Sequence, residues 1–446
     1  MSEQHPRVWT DGFPLTLSHG TGITTYARSH AATLRRMGVS LGMLYGRPLP
    51  SIADPAEREV RFFDARVLPG RPLHQRFIGL LREPRGPMAQ PIPLSRMVDT
   101  AAMSAITYET FATANLPEVD ELWNVDDAFG RAQLHFAVRR NLMTVRAPSP
   151  PALMHWTHIH PIRLAGTRNI YTVHDLIPLR LPWATLDFKA NWLNTVRRLG
   201  QRAEHIVTVS EHARRDLIEQ IGIPEERVTN TYQAVFPPMF AMAEEMSVAR
   251  LRRAHQLEPR GYFLFLSRIE PRKNLARMLD AYIASGSQLP FIIVGGMAHQ
   301  GKQELRLLTE AGGTRSADGR IRYIGYVPQL DVEILVRHAR ALCFASLYEG
   351  FGLPAVEAMQ AGTAVLTSNT SCMPEVVGGA ALTVSPTDTR ALAEALQALD
   401  GNDELRRGLE AAGPKRAAYF SPERYAERLG ALYARLGVLP AGEAAA

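Results

Sequence analysis

From residue 262 onward the chain alternates short apolar runs with longer stretches in which apolar residues recur every three or four positions. The runs at 262–267, 291–295, 321–325, 341–345, 363–367 and 381–384 are too short for buried helices and suit strands covered on both faces. The stretches at 274–285, 304–311, 330–338, 354–361 and 387–399 carry helical spacing. Strand and helix in turn predict parallel strands joined by crossover helices, a doubly wound domain from about 250 to 420.

The first half shows the same alternation less regularly, with strand patterns at 40–45, 169–173 and 205–209 and helical ones at 24–37 and 210–221. The expected fold class is α/β, with two doubly wound, Rossmann-like domains facing across a central cleft: an N-terminal, acceptor-binding domain over 1–245 and a C-terminal domain over 246–420. In 421–446, Ser421 at N-cap and Pro422 at N1 open a last helix, expected to pack back on the N-terminal domain. Open α/β sheets bind ligands outside the carboxyl ends of their strands, so functional residues should directly follow strands.

Composition narrows the possibilities. A chain of 446 residues, 46% apolar, suits two hydrophobic cores. No apolar run approaches the ~18 residues that span a bilayer, and the start lacks a basic region followed by an apolar stretch, so a cytoplasmic protein is expected. Cys343 and Cys372 fit reduced, unpaired thiols. Residues 66–96 carry six arginines and one glutamate beside Leu73, Phe77, Ile78, Leu80 and Leu81. This stretch reads either as a solvated excursion or as a contact with the anionic inner face of a membrane. The arginines are not interleaved with stacking aromatics, so nucleic acid is not an expected partner.

Two loops carry candidate chemistry. After 341–345 the chain reads Ser346-Leu-Tyr-Glu349-Gly-Phe-Gly352-Leu-Pro354 and enters a helix that stops at Gly362. Gly350 and Gly352 permit a tight turn and close backbone approach, and Pro354 suits the first helical turn. The free amides and positive end of that helix suit a phosphate or sugar hydroxyls. Glu349 and Glu357 flank the helix start, and carboxylates accept hydrogen bonds from vicinal hydroxyls. The combination suggests a sugar nucleotide; the plainer alternative is a surface glutamate beside a capping loop.

The second loop follows 262–267 and reads Arg268-Ile-Glu270-Pro-Arg272-Lys273-Asn274. Guanidinium forks and an ammonium point charge suit a diphosphate leaving group. Only four of the 50 basic residues are lysines, at 189, 273, 302 and 415, which singles out Lys273. The alternative is an exposed loop in which Asn274 caps the next helix.

The two loops together resemble the retaining glycosyltransferases of family 4, which have the GT-B fold. The likeness runs through Ser267-Arg-Ile-Glu-Pro-Arg-Lys-Asn-Leu275, Gly325-Tyr-Val-Pro328 and Thr367-Ser-Asn-Thr-Ser-Cys-Met-Pro-Glu-Val-Val377, and extends to Tyr171-Thr-Val-His-Asp-Leu-Ile-Pro178 and Val207-Thr-Val-Ser-Glu-His212. Its flavour is that of bacterial mannosyltransferases that build surface polysaccharides. The resemblance implies that Glu357 holds the donor's ribose hydroxyls and that Glu349 lies at the donor sugar, whose hydroxyls meet the amides of Phe351, Gly352 and Leu353. It places Arg268 and Lys273 on the diphosphate, Tyr326 and Val327 at the base, and His174 at the sugar from the other domain. Gly20 and Gly22 match the glycine loop that closes over the diphosphate.

The implied reaction moves a hexose, with retention, from a nucleoside diphosphate sugar to a saccharide or polyprenyl-linked saccharide. GDP-mannose is the first donor expected; UDP- and dTDP-sugars, including rhamnose, are alternatives. Arg268, Lys273 and helix N-termini would stabilise the departing diphosphate, so no metal or other cofactor is expected. A non-catalytic nucleotide-sugar-binding scaffold, and a GT-B epimerase or phosphorylase, are the competing classes.

Three other signals point elsewhere. Gly296 to Lys302 has the context of a phosphate loop, but Gln303 stands where Ser or Thr would bind magnesium. Gly20-Thr-Gly22 lacks the third glycine of a dinucleotide fingerprint. His155, His158 and His160 are dense enough for a metal, yet on a strand 155 and 158 point to opposite faces, so a His-rich strand at the cleft edge is expected instead.

Overall fold

The computed structural model describes residues 6–16, 22–64, 70–83, 85–94, 116–184, 188–240, 242–298, 301–306, 316 and 318–440, with the side chains of 80–82 and 302 excepted. Gly20, Arg66 and Arg96 of the basic stretch, and the tail from 441 lie outside the described residues.

Among the described residues ten strands occupy the first half: β1 (Arg7–Asp11), β2 (Ser40–Tyr45), β3 (Gln90–Ile92), β4 (Glu121–Asn124), β5 (Met143–Val145), β6 (Leu153–Trp156), β7 (Ile162–Leu164), β8 (Arg168–Thr172), β9 (His205–Thr208) and β10 (Val228–Asn230). Eight of them form one sheet in the order β10-β9-β8-β6-β1-β2-β4-β3, while β5 and β7 pair apart. Within the large sheet only β3 runs antiparallel to its neighbour.

The apolar pattern missed β1, β3, β4, β5, β7 and β10, and β6 was expected only as a His-rich strand. Polar residues explain the two central ones, because Thr10 and Asp11 on β1 and His155 on β6 are buried, each at most 1% exposed. The histidine strand lies in the middle of its sheet. β6 stands between β1 and β8, and His155 is hydrogen-bonded through Nδ1 to Tyr433 Oη (2.8 Å) and through Nε2 to Thr172 Oγ1 (2.9 Å). Buried imidazoles need such partners.

The second half holds β11 (Phe263–Leu266), β12 (Phe291–Val294), β13 (Ile321–Gly325), β14 (Ala341–Phe344), β15 (Ala364–Ser368) and β16 (Leu382–Val384). They form a parallel sheet in the order β13-β12-β11-β14-β15-β16. The central four strands are almost wholly apolar and buried, as helices on both faces require. One expected helix differs: the chain makes a 3-10 turn over Gly301–Leu305, and 307–311 lies outside the described residues.

The last helix, Pro422–Arg435, begins where Ser421 Oγ accepts from the Arg424 amide. It lies against the helix Gly22–Arg36 of the N-terminal domain. Tyr425 Oη is 2.8 Å from His30 Nδ1, Tyr433 Oη meets His155, and the Arg435 guanidinium donates to Thr229 Oγ1 at 2.6 Å. Both cysteines are buried and unpaired. Among the described residues no helix is long and apolar enough to cross a membrane.

Candidate active site

The loops singled out in the sequence leave the carboxyl ends of β11 and β14, adjacent strands of one sheet, and they are stitched together. Pro271–Lys273 forms a 3-10 turn, after which Asn274 adopts a left-handed conformation (φ 61°). Asn274 does not cap the following helix with its side chain. Its Nδ2 instead donates to the carbonyls of Ala345 (3.1 Å) and Pro386 (2.7 Å), fastening one loop to the root of the other. The Leu347 amide donates to the Arg272 carbonyl at 2.8 Å.

Glu349 is the centre of this arrangement. Lys273 Nζ lies 2.5 Å from its Oε1 and an Arg272 guanidinium nitrogen 3.0 Å from its Oε2; Arg272 also pairs with Glu270 at 2.6 Å. Burial alone would raise the Glu349 carboxyl, but the charges of Lys273 and Arg272 outweigh it and hold the pKa at about 2. Burial and then Arg272 lower the Lys273 ammonium, with Glu349 opposing both. The ammonium also sits 4.9 Å from the centre of the Phe344 ring. Lys273 thus faces inward onto Glu349, whereas Arg268 is exposed and has no ion-pair partner among the described residues.

Gly350 is one point at which the domains touch. A Cβ added there would stand 2.6 Å from the His174 carbonyl oxygen and 3.1 Å from Asp175 Cβ, closer than backbone atoms tolerate. Gly352 has φ 86° and ends the turn, so that Leu353 opens the helix Leu353–Gln360 with Pro354 in its first turn. Phe351 is buried against Phe420, ring centres 5.1 Å apart. His174 follows β8, and its Nε2 lies 2.9 Å from the Thr157 carbonyl oxygen; burial lowers it to about 4, so the ring is neutral at physiological pH. The Asp175 carboxylate accepts from the Ile177 amide at 2.9 Å, and burial raises its pKa.

One turn into the helix, Glu357 is half-buried and has no hydrogen-bond partner among the described residues. Burial, then repulsion from Glu333, push its carboxyl up to about 7. After β13, Gly325 turns through φ 73°, leaving Tyr326 76% exposed and Val327 buried. Gly22 is the first residue of its helix; Gly20 lies outside the described residues.

Sequence reasoning passed over Arg272, Glu270, Asp175 and Ser371, whose Oγ accepts from the Glu349 amide at 3.1 Å. Arg272 stood beside Lys273 in the same cluster, but which cation turns inward depends on what β14 delivers. Asp175 was visible only as the neighbour of His174.

Two doubly wound sheets, a glycine loop feeding a helix start at the cleft, and cations on the adjoining loop define the architecture of a glycosyltransferase of GT-B fold. Residues 248–416 match the family described as Glycosyl transferases group 1, and residues 122–235 match Glycosyltransferase Family 4. The O-antigen chain mannosyltransferase B of Escherichia coli is 36% identical over 262 residues, 57% of this chain and 67% of that protein. The serotype-specific mannosyltransferase WbdA of Escherichia coli is 29% identical over 264 residues, again 57% of this chain but only 32% of that longer protein. The solved sucrose-phosphate synthase of Thermosynechococcus elongatus superposes over 97% of this chain and 99% of its own, with a TM-score of 0.64 and 18% identity, which shows the shared fold. The chain belongs to the group 1, family 4 glycosyltransferases, and it is a glycosyltransferase.

Proposed function

We propose that the protein is a retaining mannosyltransferase of surface polysaccharide synthesis, moving mannose from GDP-mannose to a saccharide or polyprenyl-linked saccharide acceptor. The observation that carries the donor class is the glycine turn Gly350–Gly352, set between the inward pair Glu349–Lys273 and an unpartnered Glu357. The sugar is suggested by the relatives, which are mannosyltransferases.

In this reading the helix start at Leu353 and the exposed Arg268 take the diphosphate. Lys273 adds positive potential from beneath, and Glu357 accepts from ribose hydroxyls. Tyr326 offers its exposed ring to the base, and neutral His174 faces the sugar from the other domain. Gly20 and Gly22 close the diphosphate side. The acceptor hydroxyl attacks from the leaving-group side, and a phosphate oxygen takes its proton. Charge developing on the diphosphate is met by fixed cations and amides, so the scheme calls for no metal.

The acceptor suggests work at the inner face of a membrane. Leu73, Phe77 and Ile78, on the helix Leu73–Arg82, are 69%, 48% and 43% exposed, an apolar edge suited to lipid. Arg71 and Arg76 are paired with Asp126 and Asp127, so of the described arginines there Arg85 is left to meet anionic headgroups.

A thermal-shift screen against GDP-, UDP- and dTDP-sugars tests the donor. A ligand at 100 times its dissociation constant adds about 2.7 kcal/mol of stability, so the true donor stands out. Stabilisation by GDP-mannose with transfer to an oligomannoside is the expected result. Selective stabilisation by a UDP- or dTDP-sugar reassigns the donor, and a bound donor with no transfer to any acceptor favours a scaffold.

A further inference from the structure

Tyr348, the residue before Glu349, reaches out of its own domain. Its hydroxyl donates to Asp216 Oδ2 at 2.7 Å, and Asp216 ends the helix Glu211–Asp216 of the N-terminal domain. Both side chains are buried, Tyr348 at 6% and Asp216 at 2% exposure. Asp216 is itself anchored by the Arg180 guanidinium and by Gln220 Nε2 at 3.1 Å, with His212 Nε2 3.7 Å away. A carboxylate so held is a fixed point, not a side chain free to follow Tyr348.

A second bridge joins the same helix to the other flank of Glu349. The Glu375 carboxylate accepts from the amides of Glu211 (2.7 Å) and His212 (3.0 Å), the first donors of that helix. Glu375 lies four residues beyond Ser371, which receives the Glu349 amide, and three beyond Cys372, whose Sγ lies 3.1 Å from the Glu349 carbonyl oxygen. Glu349 is therefore gripped from both sides by segments that each hold the N-terminal domain. Beside it, Gly350 abuts His174. Opening of the cleft would separate Tyr348 from Asp216 and Glu375 from the helix Glu211–Asp216, leaving the loop without its outer support.

We propose that Asp216, acting through the Tyr348 hydroxyl, is a positioning residue that sets the Glu349–Gly352 loop in its working geometry only while the two domains are closed. The proposal rests on the reading of that loop as the donor site. Neither residue need touch the substrate, since displacing a positioning group by about 1 Å can cost about a hundredfold in rate.

Tyr348→Phe tests this by removing one oxygen. Amide hydrogen exchange over 349–352 in the ligand-free protein should quicken by about tenfold or more while global unfolding is little changed, because a local opening has lost its restraint. Turnover should fall by about tenfold or more with the donor KM within about twofold, the split expected of lost positioning rather than lost binding. Asp216→Asn should do the same, and the double variant no more than either alone. Unchanged exchange over 349–352 in Tyr348→Phe, or a double variant that sums the two singles, overturns the proposal. Glu349→Gln separates the two layers: turnover retained there removes the donor-loop reading itself. Turnover lost there but kept in Tyr348→Phe removes only the positioning role.

Discussion

The ammonium of Lys273 lies 2.5 Å from the carboxylate of Glu349, although the residues are 76 positions apart and each side chain is only 8% exposed. Two groups this deeply buried stabilise one another only as a set, because removing one leaves the rest with uncompensated charge. Lys273→Ala is therefore expected to cost about 3–5 kcal/mol of stability as well as donor affinity. Glu349 has a depressed folded pKa, so its contribution is complete above its ordinary 4.5 and is lost as the pH falls towards about 2. Urea unfolding across that acid range should show a shallower loss in Lys273→Ala than in the parent. Equal pH dependence in the two would remove Lys273 as the group that holds Glu349 ionised.

Glu357 titrates in the opposite sense. Its folded pKa is raised from 4.5 to about 7, so between those values the native state keeps a proton that the unfolded chain has released. Stability falls as pH rises through that window. Glu357→Gln should raise the melting temperature near pH 8 and change it little near pH 4.5. Donor affinity of the parent should grow as the pH rises through about 7, since only the carboxylate accepts two hydroxyls, and that trend should vanish in Glu357→Gln. Calorimetric titration at several pH values measures both.

Gly350→Ala places a methyl where 2.6 Å separates it from the His174 carbonyl oxygen. The domains must part or the loop must shift, and turnover should fall by about a hundredfold. Each domain keeps its own core, so far-ultraviolet circular dichroism should be unchanged while small-angle scattering reports a wider molecule. Parental turnover would show that the loop and His174 need not meet.

Tyr433→Phe removes the hydroxyl that meets His155 in the centre of the N-terminal sheet. A buried imidazole nitrogen without its partner costs about 1–3 kcal/mol, which chemical denaturation resolves. Tyr425→Phe, opposite His30, should behave alike. No loss in either would mean that the last helix packs on the sheet without these bonds.

Phe77→Glu combined with Ile78→Glu places charge on the exposed face of the helix Leu73–Arg82. Sedimentation with anionic vesicles should be lost, with transfer to a soluble acceptor kept. Full vesicle binding by this variant would move any membrane contact elsewhere.

Legibility differed between the two halves for a physical reason. The central four strands between Phe263 and Ser368 are nearly pure apolar runs, and every strand from Phe263 to Val384 was placed within a residue or two. The centre of the N-terminal sheet buries Thr10, Asp11, Thr172 and His155, whose partners include groups distant in sequence, Thr157 for Asp11 Oδ1 and Tyr433 for His155. A pattern of local hydrophobicity has no access to such partners, so β1 was missed and β6 was expected only from its histidines.

The candidate site divides in the same way. The sequence by itself determined that a glycine turn follows one strand and a basic cluster another, because strand, turn and helix start are set by local conformational preference. It also determined the α/β class and the family resemblance. Only the tertiary structure decided which cation turns inward, that Glu349 is held by both Lys273 and Arg272, and that Tyr348 is fixed by Asp216 of the opposite domain. Those choices depend on burial and on charges brought together from far along the chain, and electrostatic energy in a dry cleft is a property of the assembled neighbours rather than of any one segment.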